Sequence, residues 1–170
     1  MLRVGNLVSL VGCVLMVVIG FVRKKERVIA LQCVQFGFLA AGNLLLGAVS
    51  GFISGLVSIL RNLIFPRVKG GVWLKLVFIA AQVILTLMAG WAGPISFLPL
   101  LAGILFTWFI DTNSDAQLKV VIITAQVMWA FYDACYHNVV TFFFDILTIA
   151  SNLMGIMMLK KAEPERRTEV

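Results

Sequence analysis

Five polar residues in the last apolar segment, Asn138, Thr141, Asp145, Thr148 and Asn152, are spaced three, four, three and four apart. That spacing puts them on one face of a helix, with Phe142, Phe143, Ile146, Leu147, Ile149 and Leu153 filling the rest. Amides and hydroxyls on such a stripe can donate and accept hydrogen bonds to a polar solute without carrying charge. A carboxylate among them can carry a coupling proton or bind a cation or a solute hydroxyl. A charged side chain near the bilayer centre costs roughly 2.5–3.5 kcal/mol on insertion scales, so Asp145 must face other helices or a polar cavity.

The stripe has a counterpart at an offset of ninety: Ala48, Gly51, Gly55, Ser58 and Asn62. Asn62 matches Asn152, Ser58 matches Thr148, Asn43 matches Asp133, and the basic link Arg23–Arg27 falls on the polar link Asn113–Gln117. One offset shared by three helices points to an internal duplication. Asn62 and Asn152 are then the leading solute-binding pair, one amide from each repeat, because repeat transporters bind at the repeat interface. The plainer reading is interhelical glue, each amide bonding a neighbouring backbone or serine.

Asp133 could carry a proton or a ligand; as a rim acid near a helix end it would pair with His137, four residues on. Trp129, one turn before Asp133, can stack on a solute, whereas Trp91, Trp108, Tyr132 and Tyr136 read as interface belts. Arg61, about one turn from its helix end, is expected to snorkel; the alternatives are an ion pair with an acid or a seat for an anionic solute. Gln32, Gln35, Gln82 and Gln126 read as packing contacts. A two-aspartate intramembrane protease would want glycines flanking its second acid, and Phe144-Asp145-Ile146 has none. Phosphate-loop, dinucleotide, zinc and Ser/His/Asp patterns are absent, so no enzyme, catalytic residue, metal or cofactor is expected.

The elements that must position these residues follow from composition. Of 170 residues, 61% are hydrophobic and 13% charged, and mean hydropathy is +1.02, which defines an integral membrane protein. Apolar runs predict seven helices: about Gly5–Val22, Val28–Leu46, a third from near Val49 to Phe65-Pro66, Val72–Trp91, Pro94–Ile110, Leu118–Tyr136 and Asn138–Leu159. The last is about 22 residues and ~33 Å long, enough to span a bilayer. The expected fold is therefore all-α and polytopic, with two three-helix repeats, residues 1–65 and 93–159, joined by a loop and linker helix in 66–92. Residues 160–170 form a charged tail, expected to be disordered. Tight turns are expected at Gly47–Val49 and Ala92-Gly93-Pro94.

The net charge of +6 needs no nucleic acid to explain it. Arg23, Lys24, Lys25, Arg27, Arg67, Lys69, Lys75, Lys119, Lys160, Lys161, Arg166 and Arg167 fall on one side of the seven spans, and only Arg3 on the other. This imbalance puts the C-terminus in the cytoplasm and the N-terminus outside. Cys13, Cys33 and Cys135 sit singly in apolar segments and read as small hydrophobes. Glycines Gly47, Gly51 and Gly55 and serines Ser50, Ser54 and Ser58, each every fourth residue, allow close helix approach. Such small-residue faces also admit a homo-oligomer.

With three helices, a linker helix and three more, an outside N-terminus and paired asparagines on helices 3 and 7, the chain resembles the SWEET, PQ-loop and PnuC-type transporters. Leu31-Gln32, the run Gly42-Asn43-Leu44-Leu45-Leu46-Gly47 and the run ending Leu60-Arg61-Asn62 are more closely similar to the bacterial inner-membrane YgjV family. The resemblance implies a 1-3-2 helix order in each unit and matches Asn62 and Asn152 to the sugar-contacting asparagine pair of the SWEET type. The chain departs from that type in its hinge prolines. Helix 5 has Pro99, with Pro94 at its start, while helices 1, 2 and 6 have none, and the proline–glutamine pair is absent. The expected function is alternating-access transport of a small polar solute (a sugar, vitamin or nucleoside) through a path lined by Asn62, Asn152, Ser58, Thr148 and Asp145, with Asn43, Asp133 and Trp129 as further contacts. The alternative is a non-transporting inner-membrane protein that binds a partner or assembles a complex.

Overall fold

The computed structural model describes residues 2–45, 49–68, 71–88, 95, 97–135 and 139–168. Among them are seven helices: α1 (Leu2–Phe21), α2 (Lys25–Leu45), α3 (Val49–Ile64), α4 (Gly71–Met88), α5 (Phe97–Phe109), α6 (Asp115–Cys135) and α7 (Val139–Thr168). Both expected turns, most of Gly47–Val49 and all of Ala92-Gly93-Pro94, lie outside the described residues, as do Lys69, Trp91, Tyr136, His137, Asn138 and the side chain of Asp133. Four helices, α1, α2, α4 and α7, are long and apolar enough to cross a membrane, while α5 and the apolar part of α3, Ser54–Ile64, are shorter. Leu7, Trp73, Phe131 and Phe143 are among many large apolar side chains left exposed on the outside, a surface suited to lipid.

Helices α2 and α6 start about a turn upstream of their apolar runs, at Lys25 and Asp115, where polar residues begin them, whereas α5 starts at Phe97, downstream of the expected Pro94. At the start of α2 the Lys24 carbonyl accepts from Val28 N at 3.0 Å, and Glu26 in the first turn faces the positive end of the helix dipole. At the start of α6, Ser114 Oγ accepts from Gln117 N at 3.2 Å, and the Ser114 carbonyl accepts from Leu118 N at 3.1 Å. Ser114 and Gln117 have the Ser-x-x-Gln spacing of a capping box. At the other extreme α7 carries helical backbone beyond Leu159 to Thr168, through Lys160, Lys161, Ala162 and Glu163, all good helix formers.

The helices pack in cyclic order. Each touches its neighbours in sequence, and α7 closes the ring against α1. Thus α2 lies between α1 and α3, and α6 between α5 and α7, so the 1-3-2 order implied by the SWEET-type resemblance is not the one found. Small residues on α2 explain its central place. A Cβ on Gly42 would overlap Ser9 of α1, and one on Gly55 of α3 would stand 2.8 Å from the Ala40 Cβ of α2. Helix α4 has no buried residue. It is held by Gln82 Nε2 donating to Ser54 Oγ at 3.3 Å and by the Lys75–Asp111 ion pair at 2.8 Å.

The apolar core sits at the end of the ring that carries the Arg23–Arg27 link, the basic end. There Ile19, Val28, Ile29, Phe106, Ile110, Leu118, Val121 and Ile122 join α1, α2, α5, α6 and the residue following α5 in one buried cluster. The two links that bracket it also meet. Lys25 N donates to Asp115 Oδ1 at 2.8 Å, and Lys25 Nζ donates to the Thr112 carbonyl.

Candidate functional site

Polar side chains crowd the interior of this apolar ring: Gln32, Gln35, Arg61, Asn62, Thr107, Lys119, Gln126, Asp145, Thr148, Ser151 and Asn152 are all buried. Hydrogen bonds sort most of them into two groups, one centred on α3 and the other on α7.

The first group joins α2, α3 and α5. Asn62, 1% exposed, donates through Nδ2 to Gln32 Oε1 at 3.3 Å. Its Oδ1 accepts from Arg61 Nε at 3.2 Å. Arg61 then reaches across to α5, where Nη1 donates to Thr107 Oγ1 at 3.4 Å and the guanidinium stacks over the Phe106 ring, 4.5 Å from its centroid. Thr107 passes its own proton to the Gly103 carbonyl at 2.8 Å. At 4% exposure Arg61 does not snorkel. Its side chain turns inward because Asn62, Thr107 and a phenyl face offer it acceptors and a π surface there. The one ion pair among the described residues is Lys75–Asp111, so Arg61 rests on neutral groups.

The second group belongs to α6 and α7. Gln126 Nε2 donates to Asp145 Oδ1. One turn on, Thr148 Oγ1 donates to the Phe144 carbonyl at 2.8 Å. The Thr148 carbonyl accepts from Ser151 Oγ at 3.0 Å and from Asn152 Nδ2 at 2.9 Å. Asn152 is 0% exposed, and its Oδ1 is a buried acceptor with no hydrogen-bond partner among the described residues. A buried polar atom left so costs about 1–3 kcal/mol.

Beside this group, Lys119 is 1% exposed and not the surface cation its place in the charge count implies. It extends from α6 past Gly155 of α7 to α1, where Nζ donates to the Gly20 carbonyl at 2.7 Å. Gly20 lies in the last turn of α1, whose carbonyls lack helical partners, so the ammonium caps a helix C-terminus. Gly155 is required there, since a Cβ would overlap the Gly20 carbonyl oxygen of α1. The same device recurs at the basic end. Arg67 donates to the Leu63 carbonyl of α3 at 2.8 Å, and Lys75 to the Trp108 carbonyl of α5 at 2.7 Å. A cation thus caps each of α1, α3 and α5.

Of the eight residues expected to line a solute path, Asn62, Asn152, Thr148 and Asp145 are buried in the interior, and Ser58 and Asn43 are half-buried. Trp129 is 37% exposed and packs edge-on against Tyr132, with centroids 5.7 Å apart. The side chain of Asp133 is outside the described residues. Asn62 and Asn152 belong to different groups, and α3 and α7 are not neighbours in the ring. Sequence reasoning set aside Gln32 and Gln126 as packing contacts, yet they hold Asn62 and Asp145. Thr107 and Ser151 were missed, and their sequence signal is slight: single hydroxyls in apolar helices. Chemically, the interior offers amides, hydroxyls, one guanidinium, one ammonium and one carboxylate among the described residues.

A family model described as Imp-YgjV, bacterial inner membrane protein, matches residues 3–163 of this chain. No curated protein and no solved structure matches it.

Proposed function

The chain belongs to the Imp-YgjV family of bacterial inner membrane proteins, and from that premise we propose that it carries a small polar solute by alternating access between two pseudo-symmetric halves. One observation carries the reading. Asn62 and Asn152, ninety residues apart on the third helix of each half, are both buried, at 1% and 0% exposure, among the polar side chains of the ring interior. Burying amides in a membrane interior is costly unless they are bonded, and Asn152 Oδ1 is a buried acceptor without a hydrogen-bond partner among the described residues, which a solute donor would satisfy.

The offset extends to packing. Val28 and Leu118, and Leu31 and Val121, are pairs ninety apart that all belong to or pack on the basic-end cluster. Lys25 and Asp115, also ninety apart, bond to each other. These pairings support a two-fold relation between the halves, with the basic end closed by a cluster and the links across it. In this reading the seven helices are seven spans, α4 is the linker, the basic end faces the cytoplasm and the N-terminus lies outside. No enzymatic step is assigned.

Proteoliposomes holding the purified protein test this. Uptake of a labelled sugar, nucleoside or vitamin by the native protein should vanish in Asn152→Leu at unchanged membrane level, and unaltered uptake would remove the claim. A second reading, a non-transporting partner-binding or self-associating protein, is favoured by bonds such as Gln82–Ser54 that act as helix glue. It predicts that Gly51→Leu breaks a complex while Asn152→Leu is silent.

A further inference from the structure

A cleft opens at the basic end, between the end of α1, the start of α2, the start of α6 and α7. It encloses about 800 Å³. Its lining includes the cations Arg23, Lys24 and Arg27 and the apolar side chains Leu31 and Leu159. All three cations are exposed, and none has a carboxylate partner among the described residues, where the ion pair is Lys75–Asp111. Asp115 also lines the cleft, but its Oδ1 already accepts from the Lys25 backbone. The cleft therefore presents surplus positive charge next to hydrocarbon, at the level where the apolar helices end.

We propose that this cleft binds the headgroup of an anionic phospholipid, with Arg23, Lys24 and Arg27 holding the phosphate and Leu31 and Leu159 receiving the first carbons of its acyl chains. Three observations select a lipid over a soluble ligand. A cleft at a membrane boundary is bathed in phospholipid, its lining combines cations with apolar side chains as the lipid combines phosphate with hydrocarbon, and basic pockets between helices recognise acidic headgroups. Arginine serves this role well because its planar fork matches two phosphate oxygens. The site is separate from the interior polar groups and stands whether or not the protein transports anything. Its occupant would tie α1, α2, α6 and α7 together across the two halves, beside the Lys25–Asp115 bond.

The test is thermal unfolding of the full chain in neutral detergent with added phosphatidylglycerol, phosphatidylcholine or inorganic phosphate. At tenfold excess over Kd, phosphatidylglycerol should raise Tm by about 3–6 °C, and phosphatidylcholine and inorganic phosphate should not. The increment should be lost in the combined variant Arg23→Gln, Lys24→Gln, Arg27→Gln. It should also be lost in Ala116→Trp, which fills the cleft and keeps every charge. Arg67→Gln, outside the cleft, should retain it. An equal rise with phosphatidylcholine, a rise with phosphate alone, or a rise that survives in both cleft variants overturns the proposal.

Discussion

Arg61 is the residue at which stability and function separate most sharply. A guanidinium cannot shed its proton, and here it is buried on an amide, a hydroxyl and a ring face. Neutral partners offset only part of the cost of taking a charge out of water. Arg61→Leu removes that cost and Thr107 keeps its Gly103 acceptor, but Asn62 Oδ1 loses its Arg61 donor at about 1–3 kcal/mol, so the two offset and Tm in detergent should change little. A fall in Tm as large as a core-cavity variant produces, about 2–5 kcal/mol of stability, would make Arg61 a structural strut instead. Asn152 carries the opposite expectation in the site. Asn152→Leu removes both an intrahelical bond and the unpartnered acceptor, so it should be close to neutral in stability, yet silent toward solutes. The residue types were legible in the sequence here, and their directions were not. Arg61 one turn from a helix end has the same one-dimensional signature whether it reaches outward to phosphate or inward to Thr107.

Helices are held at their ends by charges that the sequence shows only as a bias. Lys119, Arg67 and Lys75 count as basic residues on one side of the membrane, and each also caps the last turn of α1, α3 or α5. Lys119→Met keeps the chain length but leaves the Gly20 carbonyl unpaired, which should cost about 1–3 kcal/mol. Thermal unfolding would read this, and an unchanged Tm would refute the cap. Gly155→Leu should do greater damage, since its side chain would occupy the path of Lys119 between α7 and α1. At the start of α6, Ser114→Ala removes the Gln117 contact and should cost about 0.5–2 kcal/mol, measured the same way. Helix number and approximate bounds were readable from apolar runs, because length and hydropathy decide them. The caps moved α2 and α6 upstream by a turn, a shift that the Ser114-x-x-Gln117 spacing carried in plain sight.

At the level of the whole molecule the ring order could not be read from the chain. The polar stripe of α7 marks an inward face without saying which helix it meets, and the small residues that place α2 between α1 and α3 act only in pairs: Gly42 with Ser9, Gly55 with Ala40. The offset of ninety was readable and has a spatial echo in the Lys25–Asp115 bond and the basic-end cluster. Orientation is a separate expectation. Reporter fusions should place the C-terminus in the cytoplasm and the N-terminus outside, and the reverse result would undo the charge argument. The central claim, that buried amides from the two halves serve a polar solute, is tested most directly by a thermal-shift screen. Purified native protein and the Asn62→Leu, Asn152→Leu double variant would be compared across sugars, nucleosides, vitamins and organic acids. The account predicts that at least one class raises the Tm of the native protein and leaves the double variant unmoved. A screen in which no polar solute shifts the native protein, or in which both proteins shift alike, would contradict it.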